Sequence, residues 1–338
     1  MPVLVKELTS LNGPSGFEDE VRDFIRAHAI CDEIFTDSMG NLICHKKGSG
    51  KKVMVSVHMD EVGFIITNIT DEGFLSFRPL GGVMTAVLNS KKLLIGENKI
   101  PGIVGTKAFH LQKDDEANSP VKIKDLYIDI GASDKESAEK IVSLGDYAVF
   151  DGEYIEFGDN LVKSKALDDR VGCAIMLELM REKYDSDMYF CFTVQEEVGC
   201  RGARIVAERI KPDIALVIEG TTCSDVYGSK PHNQVTNLGG GAVMTAVDGA
   251  AISDKNYYDF IMKTAEDNGI KLQIKKTTMG GTDAGVIQRS GYGVKTAVLA
   301  VPCRYIHSPV SVMNTDDAES VYKLSKAVLK GIERSNLI

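Results

Sequence analysis

The sequence has no tryptophan, no excess of basic residues and no long apolar run. Its 338 residues include 39 Lys and Arg against 48 Asp and Glu, which gives a net charge of −9. The chain therefore lacks the excess of positive charge that would attract a nucleic-acid backbone or an anionic lipid surface. No apolar run approaches the length of a membrane span, and the first twenty residues lack the basic start and apolar core of a signal peptide. We therefore expect a cytoplasmic protein that binds neither nucleic acid nor membranes.

The cysteines do not have the spacing of a metal or redox motif. They number seven, are scattered between Cys31 and Cys303, and include no closely spaced pair of the zinc-finger or redox type. We interpret them as reduced thiols, most of them buried as small apolar side chains.

Two patterns of hydrophobicity divide the chain. Residues 17–30 repeat apolar side chains at helical spacing, and from residue 161 onward helical segments alternate with buried strands, which is typical of a mostly parallel sheet covered by helices on both faces. The apolar strand at 53–57 has no sheet of its own nearby, so we assign it to this later sheet. The region between, 68–160, is rich in glycine and strand-like runs. The sequence thus predicts an α/β domain made of 1–67 and 161–338, with a β-rich domain inserted at 68–160.

Acids and histidines follow the predicted strands of this sheet. Each has a plain structural explanation when taken alone, since an aspartate before a helix can cap it and paired glutamates are usually solvated. In open α/β sheets, however, functional groups collect at the carboxyl ends of the strands. The presence of so many acids and histidines at one edge of the sheet therefore favours a metal site. Mixed nitrogen and oxygen ligands suit zinc, cobalt or manganese better than calcium or magnesium. The residues concerned are His58, Asp60, Asp168, Asp169, Glu196, Glu197, Glu219 and His307.

A pair of divalent ions at this edge would serve hydrolysis. Two such ions lower the pKa of a shared water and polarise a carbonyl group. Three carboxylates and a bridging hydroxide would balance their four positive charges. A further carboxylate beside the ions, free of metal, could take a proton from water and pass it to a leaving nitrogen.

Two glycine-rich loops are candidates for a binding pocket. In "MGGTDAGVIQ", Gly280 and Gly281 could let backbone amides approach a substrate, and Asp283 could hold a free α-amino group. The alternative is a tight turn into a helix capped by Thr282 or Asp283. The loop at 237–243, "NLGGGAV", is either a pocket wall or only a connection, and it lacks the lysine ending of a phosphate-binding loop.

Five short motifs follow one another along nearly the whole chain, which carries "HMDEVGF", "ALDDRVG", "QEEVGCRGA", "GGTDAG" and "RYIHSP" in that order. This series resembles the tetrahedral (TET) aminopeptidases, dinuclear metallopeptidases that include bacterial glutamyl aminopeptidases and proteins once labelled cellulase or endoglucanase M. The resemblance implies a zinc-exopeptidase-like catalytic domain and an inserted barrel-like domain that serves assembly. It also implies dimers that build a hollow tetrahedral dodecamer, whose enclosed active sites would admit short peptides.

Position by position, the resemblance implies how two divalent ions would be held in each subunit. His58 and Glu219 would bind one ion, Glu197 and His307 the other, and Asp168 would bridge them. Many relatives carry a shorter aspartate in place of Glu219, so this longer side chain would have to reach the same ion.

The resemblance also implies two supporting residues. Glu196 matches the general base, and Asp60 matches the partner that orients the ring of His58. We expect Glu61, next in the sequence, to be solvated.

We therefore predict a metal-dependent aminopeptidase, a hydrolase that removes N-terminal residues from short peptides through a dinuclear centre with a bridging water. A deacylase or a carboxypeptidase on the same fold would use the same metal chemistry. A glycosidase is disfavoured because tryptophan is absent and because Glu196 and Glu197, on an extended strand, would point to opposite faces. A catalytically silent protein is disfavoured because no ligand is missing. A preference for acidic N-terminal residues would require a cation in the pocket, and Lys230 or Arg304 could supply it.

Overall fold

The computed structural model describes residues 1–112, 119, 121–335 and 337. The helices within these residues are α1 (Pro2–Ser10), α2 (Asp19–His28), α3 (Lys135–Glu139), α4 (Leu167–Leu179), α5 (Arg201–Ile210), α6 (Lys255–Asp267), α7 (Ala284–Gln288) and α8 (Thr315–Gly331). The strands are β1 (Glu33–Thr36), β2 (Leu42–Lys46), β3 (Lys52–His58), β4 (Gly63–Ile69), β5 (Leu75–Leu80), β6 (Lys92–Ile95), β7 (Ile100–Thr106), β8 (Leu126–Asp129), β9 (Tyr147–Phe150), β10 (Ile155–Phe157), β11 (Leu161–Ser164), β12 (Asp187–Thr193), β13 (Ile214–Thr222), β14 (Ala242–Thr245), β15 (Leu272–Ile274), β16 (Lys295–Arg304) and β17 (Ser311–Asn314).

Helix α2 shows how local sequence produces these elements. Val21 and Ile25, four positions apart, are its buried residues and face the core. Two acids lie in its first turn, and Arg26 and His28 lie in its last turn, where each charge complements the helix dipole. Among the described residues, no helix is both long and apolar enough to cross a membrane.

The largest sheet is mixed, and its centre is parallel. Strands β12, β3, β13 and β16 lie side by side in that order, and each pairs with the next in parallel. Antiparallel strands flank this centre, with β2 and β1 on one side and β17, β11 and β10 on the other. The assignment of the early strand β3 to the later sheet is therefore confirmed, and so is the α/β fold class.

Helices cover both faces of this sheet, because alternate residues of the parallel strands point to opposite sides. Val53, Val55 and Val57 of β3 belong to one apolar cluster with residues of α1, α4 and α8. Met54, between them, belongs to a second cluster with residues of α5 and α7. The parallel strands are thus buried on both faces, and polar groups can reach solvent only at their ends.

Six further strands close into an antiparallel barrel in the order β4, β5, β8, β7, β6 and β9, and β9 pairs again with β4. The rings of Phe77 and Phe150 each meet the ring of Phe64 nearly edge to face, at centroid distances of 5.2 and 5.5 Å. These rings lie in a separate apolar cluster inside the barrel.

The barrel strands run from Gly63 to Phe150, while β10, at Ile155–Phe157, pairs with β11 of the large sheet. Residues 113–118 and 120 of the predicted insertion lie outside the described residues. The division into a domain of 1–67 and 161–338 and an assembly domain of 68–160 stays a prediction.

Candidate metal centre

The predicted site residues meet at the carboxyl edge of the parallel strands. His58 is the last residue of β3 and pairs with Thr193, the last residue of β12. Glu219 lies within β13, while Glu196 and Glu197 lie in the turn that follows β12. Our expectation that these two glutamates continue an extended strand is therefore wrong, and so is the argument against a glycosidase that rested on it.

Asp168 lies between the two histidines of the site. Its Oδ1 is 3.3 Å from Nε2 of His58, and its Oδ2 is 3.7 Å from Nε2 of His307. The neighbouring Asp169 has a different role, because its carboxylate accepts the backbone N–H groups of Gly172 (3.1 Å) and His58 (3.3 Å). Of the two adjacent aspartates, Asp169 thus holds the start of α4 in place and Asp168 faces the site.

Two groups of ligand atoms share Asp168. Oε2 of Glu219 lies 3.4 Å from Nε2 of His58, and Oε2 of Glu197 lies 3.3 Å from Nε2 of His307. In each group the ligand atoms lie within 4.8 Å of one another, so each could hold a metal ion. The structure thus brings together all five residues that the sequence predicted as ligands.

Buried negative charge dominates this centre. Burial raises the pKa of Glu197 to about 8 and that of Glu219 to about 7, because a carboxylate away from water is more easily protonated. Burial by itself would lower the pKa of His307, but the carboxylates of Asp168 and Glu197 outweigh it and raise the pKa to about 9. The same buried charge favours the binding of divalent cations.

Asp60 supports the centre through several hydrogen bonds. Its carboxylate accepts the Ser15 hydroxyl at 2.6 Å and the backbone N–H groups of Glu196 and Glu197 at 2.9 and 3.1 Å. Nδ1 of His58 lies 3.0 Å from the backbone carbonyl of Asp60 and 3.4 Å from its Oδ1. Asp60 therefore contacts both the histidine ring and the turn that carries the two glutamates.

A cavity of about 1160 Å³ opens onto the centre, and its wall includes Gly280, Gly281 and Thr282. The Thr282 hydroxyl accepts the backbone N–H at the start of α7 (3.3 Å), so part of this loop also caps a helix. Asp283 is fully buried, and its Oδ2 accepts the Thr193 hydroxyl at 2.6 Å. A role for Asp283 in holding an α-amino group stays a prediction.

The barrel contributes to the same cavity, which sequence reasoning missed. The backbone carbonyl of Gly82, just after β5, lies 2.9 Å from Nδ1 of His307. Met84 and Val87, from the same loop, line the cavity. Nothing local in the sequence signals this contact, because the loop and the histidine are 225 positions apart.

The cations at the cavity differ from those we expected. Arg304 is held by Asp225 through bonds of 2.6 and 2.8 Å, and Lys230 is exposed and lies outside the cavity wall. Lys91 and Lys275 line the cavity instead.

Glu61 is buried, so our expectation that it is solvated is wrong. It accepts from Nζ of Lys165 at 2.7 Å and from Nη2 of Arg170 at 3.2 Å, and all three side chains are at most 3% exposed. Arg170 also donates to the backbone carbonyls of Leu8 (2.7 Å) and Met59 (2.9 Å). This buried ion cluster ties α1 to Met59, the residue that follows the predicted ligand His58.

The loop at 237–243 is bound to helix α8. The backbone N–H groups of Gly239 and Gly241 each donate to the carboxylate of Asp317 at 2.7 Å. Neither glycine lines the cavity, so the connecting role fits this loop better than that of a pocket wall.

Comparison with known proteins identifies the family. The profile of the M42 glutamyl aminopeptidases matches residues 40–324. The chain is 32% identical to the lysyl aminopeptidase of Pyrococcus furiosus over 345 residues, which cover 98% of this chain and 97% of that protein.

Two solved structures are similar over almost their full length. An aminopeptidase from the archaeon Desulfurococcus kamchatkensis superposes with a TM-score of 0.92 and 37% identity, covering 99% of this chain and 98% of that one. The TET1 peptidase of Pyrococcus horikoshii, which can assemble into a tetrahedron or a large octahedral shell, superposes with a TM-score of 0.87 and 34% identity, covering 97% and 98%. The resemblance to the TET aminopeptidases is thereby confirmed, and the chain belongs to the M42 glutamyl aminopeptidase family of metal-dependent peptidases.

Proposed function

We propose that this metal-dependent aminopeptidase holds two divalent ions in the acidic cluster at the edge of its sheet. His58 and Glu219 would bind one ion, Glu197 and His307 the other, and Asp168 both. The observation that carries the proposal is the position of Asp168, whose two oxygens each face a different histidine, at 3.3 and 3.7 Å.

The donor set fits such ions. Oε1 of Glu219 is buried and has no hydrogen-bond partner within the described part of the chain, and a bound cation would satisfy it. Two histidines and three carboxylates form the mixed nitrogen and oxygen environment that zinc, cobalt or manganese prefers. Oε2 of Glu219 lies 3.4 Å from Nε2 of His58, which supports Glu219 as a ligand of the same ion although its side chain is longer than the aspartate of many relatives.

Ions bound there would lower the pKa of water and polarise the scissile carbonyl. We assign the proton transfer to Glu196, which lies beside the five ligands and lines the cavity. Burial, above all, raises its pKa, and a carboxylate with a raised pKa is a stronger base for the proton that passes from the attacking water to the leaving nitrogen. Asp60 fixes the backbone of Glu196 during this transfer.

A direct test is the replacement Glu196→Gln, which keeps the shape of the side chain and removes its basicity. We expect kcat to fall by about 10²–10⁴-fold, the usual contribution of a general base. Metal content should stay at two ions per chain. Loss of metal would mean that Glu196 is a ligand and that the base lies elsewhere.

We assign the substrate to the cavity whose wall includes Gly280, Gly281 and Thr282, where backbone amides could approach the peptide. The substrates would be short peptides with a free N-terminus. Lys275 on the same wall could attract an acidic N-terminal side chain.

We also propose that the chain forms a homo-oligomer of dimers, up to a tetrahedral dodecamer, with the segment 68–160 as its assembly domain. The similarity to a TET1 peptidase that assembles into closed shells supports this proposal. Mass photometry of the purified protein tests it, and a monomer at micromolar concentration would contradict it. A cytoplasmic location stays a prediction.

The activity itself is tested with a panel of aminoacyl p-nitroanilides. Metal-stripped protein would be assayed after zinc, cobalt or manganese is restored, with an N-acetylated substrate and carboxymethylcellulose as controls. Metal-dependent cleavage of the free-amine substrates alone is the expected result, and it would identify the metal and the preferred residue. Cleavage of the acetylated substrate would instead indicate a deacylase, and cleavage of the polysaccharide a glycosidase.

A further inference from the structure

A third group of potential ligands lies beside the proposed dinuclear centre and shares none of its five residues. It consists of Glu196, Cys200 and Asp283, each of which offers one ligand atom within 4.8 Å of the other two. The thiol of Cys200 donates to Oε1 of Glu196 over 3.4 Å. Two ligands of a tetrahedral zinc ion, with bonds of about 2.3 Å to sulphur and about 2.0 Å to oxygen, lie about 3.5 Å apart. These two side chains therefore already have the separation that a shared zinc ion requires.

Asp283 provides an independent indication of a ligand. Its side chain is fully buried, and one oxygen, Oδ2, accepts the Thr193 hydroxyl at 2.6 Å. The other oxygen, Oδ1, is buried without a hydrogen-bond partner among the residues that the structure describes. An unsatisfied buried carboxylate oxygen is costly, and a bound cation would compensate it.

The side chain of Cys200 lies at the cavity and does not cap its helix. It occupies the N-cap position of α5, where its side chain makes no capping hydrogen bond. The thiol points to Glu196 instead, and both residues line the cavity, so an ion can reach them by the route that a substrate takes.

We propose that Glu196, Cys200 and Asp283 form an inhibitory site for a third, thiophilic divalent ion such as zinc or cadmium. The thiol proton is released to solvent as the ion binds, so affinity is lower than at sites whose ligands carry no proton. Occupation of the site inhibits turnover because a glutamate bound to metal cannot accept a proton from water. This last step rests on the role of Glu196 proposed above.

Spectroscopy on the loaded enzyme tests the site without reference to activity. Enzyme that already carries its two ions is titrated with cadmium or cobalt, and the thiolate-to-metal charge-transfer band is recorded. None of the five proposed ligands of the dinuclear centre is a thiol, so that centre makes no such band. We expect one further equivalent to give the band in the wild type and in Cys31→Ser, which changes the other partly exposed cysteine. The band should be absent in Cys200→Ser.

A second variant, at another of the three proposed ligands, tests the site independently of Cys200→Ser. Asp283→Asn removes a charged ligand but leaves the thiol, so the band should appear only at higher cadmium concentration. A band that is absent from the wild type, or that persists in Cys200→Ser, would overturn the site.

Zinc inhibition is then measured on the same proteins, each relative to its own rate without added zinc. Even loss of a group that only supports a ligand costs 10–100-fold in metal affinity, so loss of the thiolate should raise the half-inhibiting zinc concentration at least about tenfold. Equal inhibition of the wild type and Cys200→Ser would overturn the proposal. A band that depends on Cys200, without inhibition, would uphold the site and contradict Glu196 as the base, so the two proposals fail separately.

Discussion

Replacement of Asp60 by asparagine should weaken the metal centre although Asp60 is not one of its proposed ligands. Oδ1 of Asp60 accepts the backbone N–H of Glu196 at 2.9 Å and lies 3.4 Å from Nδ1 of His58. Oδ2 accepts the Ser15 hydroxyl at 2.6 Å and the backbone N–H of Glu197 at 3.1 Å. Each oxygen thus faces a backbone donor that cannot reverse its direction. In either orientation of the new amide, its NH₂ group faces one of these N–H groups.

The size of the effect follows from these contacts. A buried donor left without an acceptor costs about 1–3 kcal/mol, and the remaining bonds lose the charge that makes them about twice as strong as neutral ones. Loss of a carboxylate that orients a ligating histidine typically lowers metal affinity by about 10–100-fold, which is the same range of free energy. We therefore expect Asp60→Asn to raise the metal dissociation constant by about 10–100-fold. Turnover should fall as well, because the backbone of Glu196 is no longer held.

Metal affinity is measured by competition with a chromophoric chelator, and bound metal is counted after dialysis. Ser15→Ala is the matched control, since it removes one hydrogen bond to Asp60 and leaves the carboxylate in place. The control should lose less than about tenfold in affinity. If Asp60→Asn binds metal within about threefold of the wild type, the bonds of Asp60 do not support the centre and the reasoning is refuted.

Three further replacements test other parts of the structure. Glu61→Gln leaves the buried ammonium of Lys165 without its anion and should lower the free energy of unfolding by about 3–5 kcal/mol, measured as a shift of the urea midpoint. Gly220→Ala would place a Cβ 2.9 Å from Cα of Asp168, so the proposed bridging ligand must move and metal affinity should fall at least about tenfold in the chelator assay. Lys275→Met removes a cation from the cavity wall and should lower kcat/KM for an N-terminal glutamate relative to leucine by about tenfold, because a hydrogen bond to a charged group is worth about 1.5–3 kcal/mol.

Controls separate these effects from general damage. Glu33→Gln breaks ion pairs of a side chain that is 53% exposed and should leave the urea midpoint nearly unchanged, because exposed ion pairs contribute little to stability. Gly82→Ala brings its Cβ no closer than 3.5 Å to His307, an ordinary contact, so metal content should be kept. A urea midpoint unchanged by Glu61→Gln, full metal affinity in Gly220→Ala, or an unchanged glutamate-to-leucine ratio in Lys275→Met would contradict the respective prediction.

The sequence determined the fold class and the elements that carry the site. Alternation of helices with buried strands predicted the parallel sheet, because side-chain periodicity is a local property of the backbone. The order of five motifs identified the family. The closure of six strands into a barrel was not predicted from periodicity, because strand pairing depends on contacts between segments far apart in the chain, such as β4 with β9.

At the site, the sequence determined which acids and histidines follow the strands, and the tertiary structure decided which of them face one another. The adjacent Asp168 and Asp169 are alike in sequence, yet one faces two histidines and the other accepts the backbone N–H of Gly172 within the first turns of α4. Glu61 looked solvated because its partners Lys165 and Arg170 follow it by 104 and 109 positions. Hydrophobic pattern is local and can be found in a single segment, whereas burial, charge pairing and the direction of a side chain depend on segments that only folding brings together.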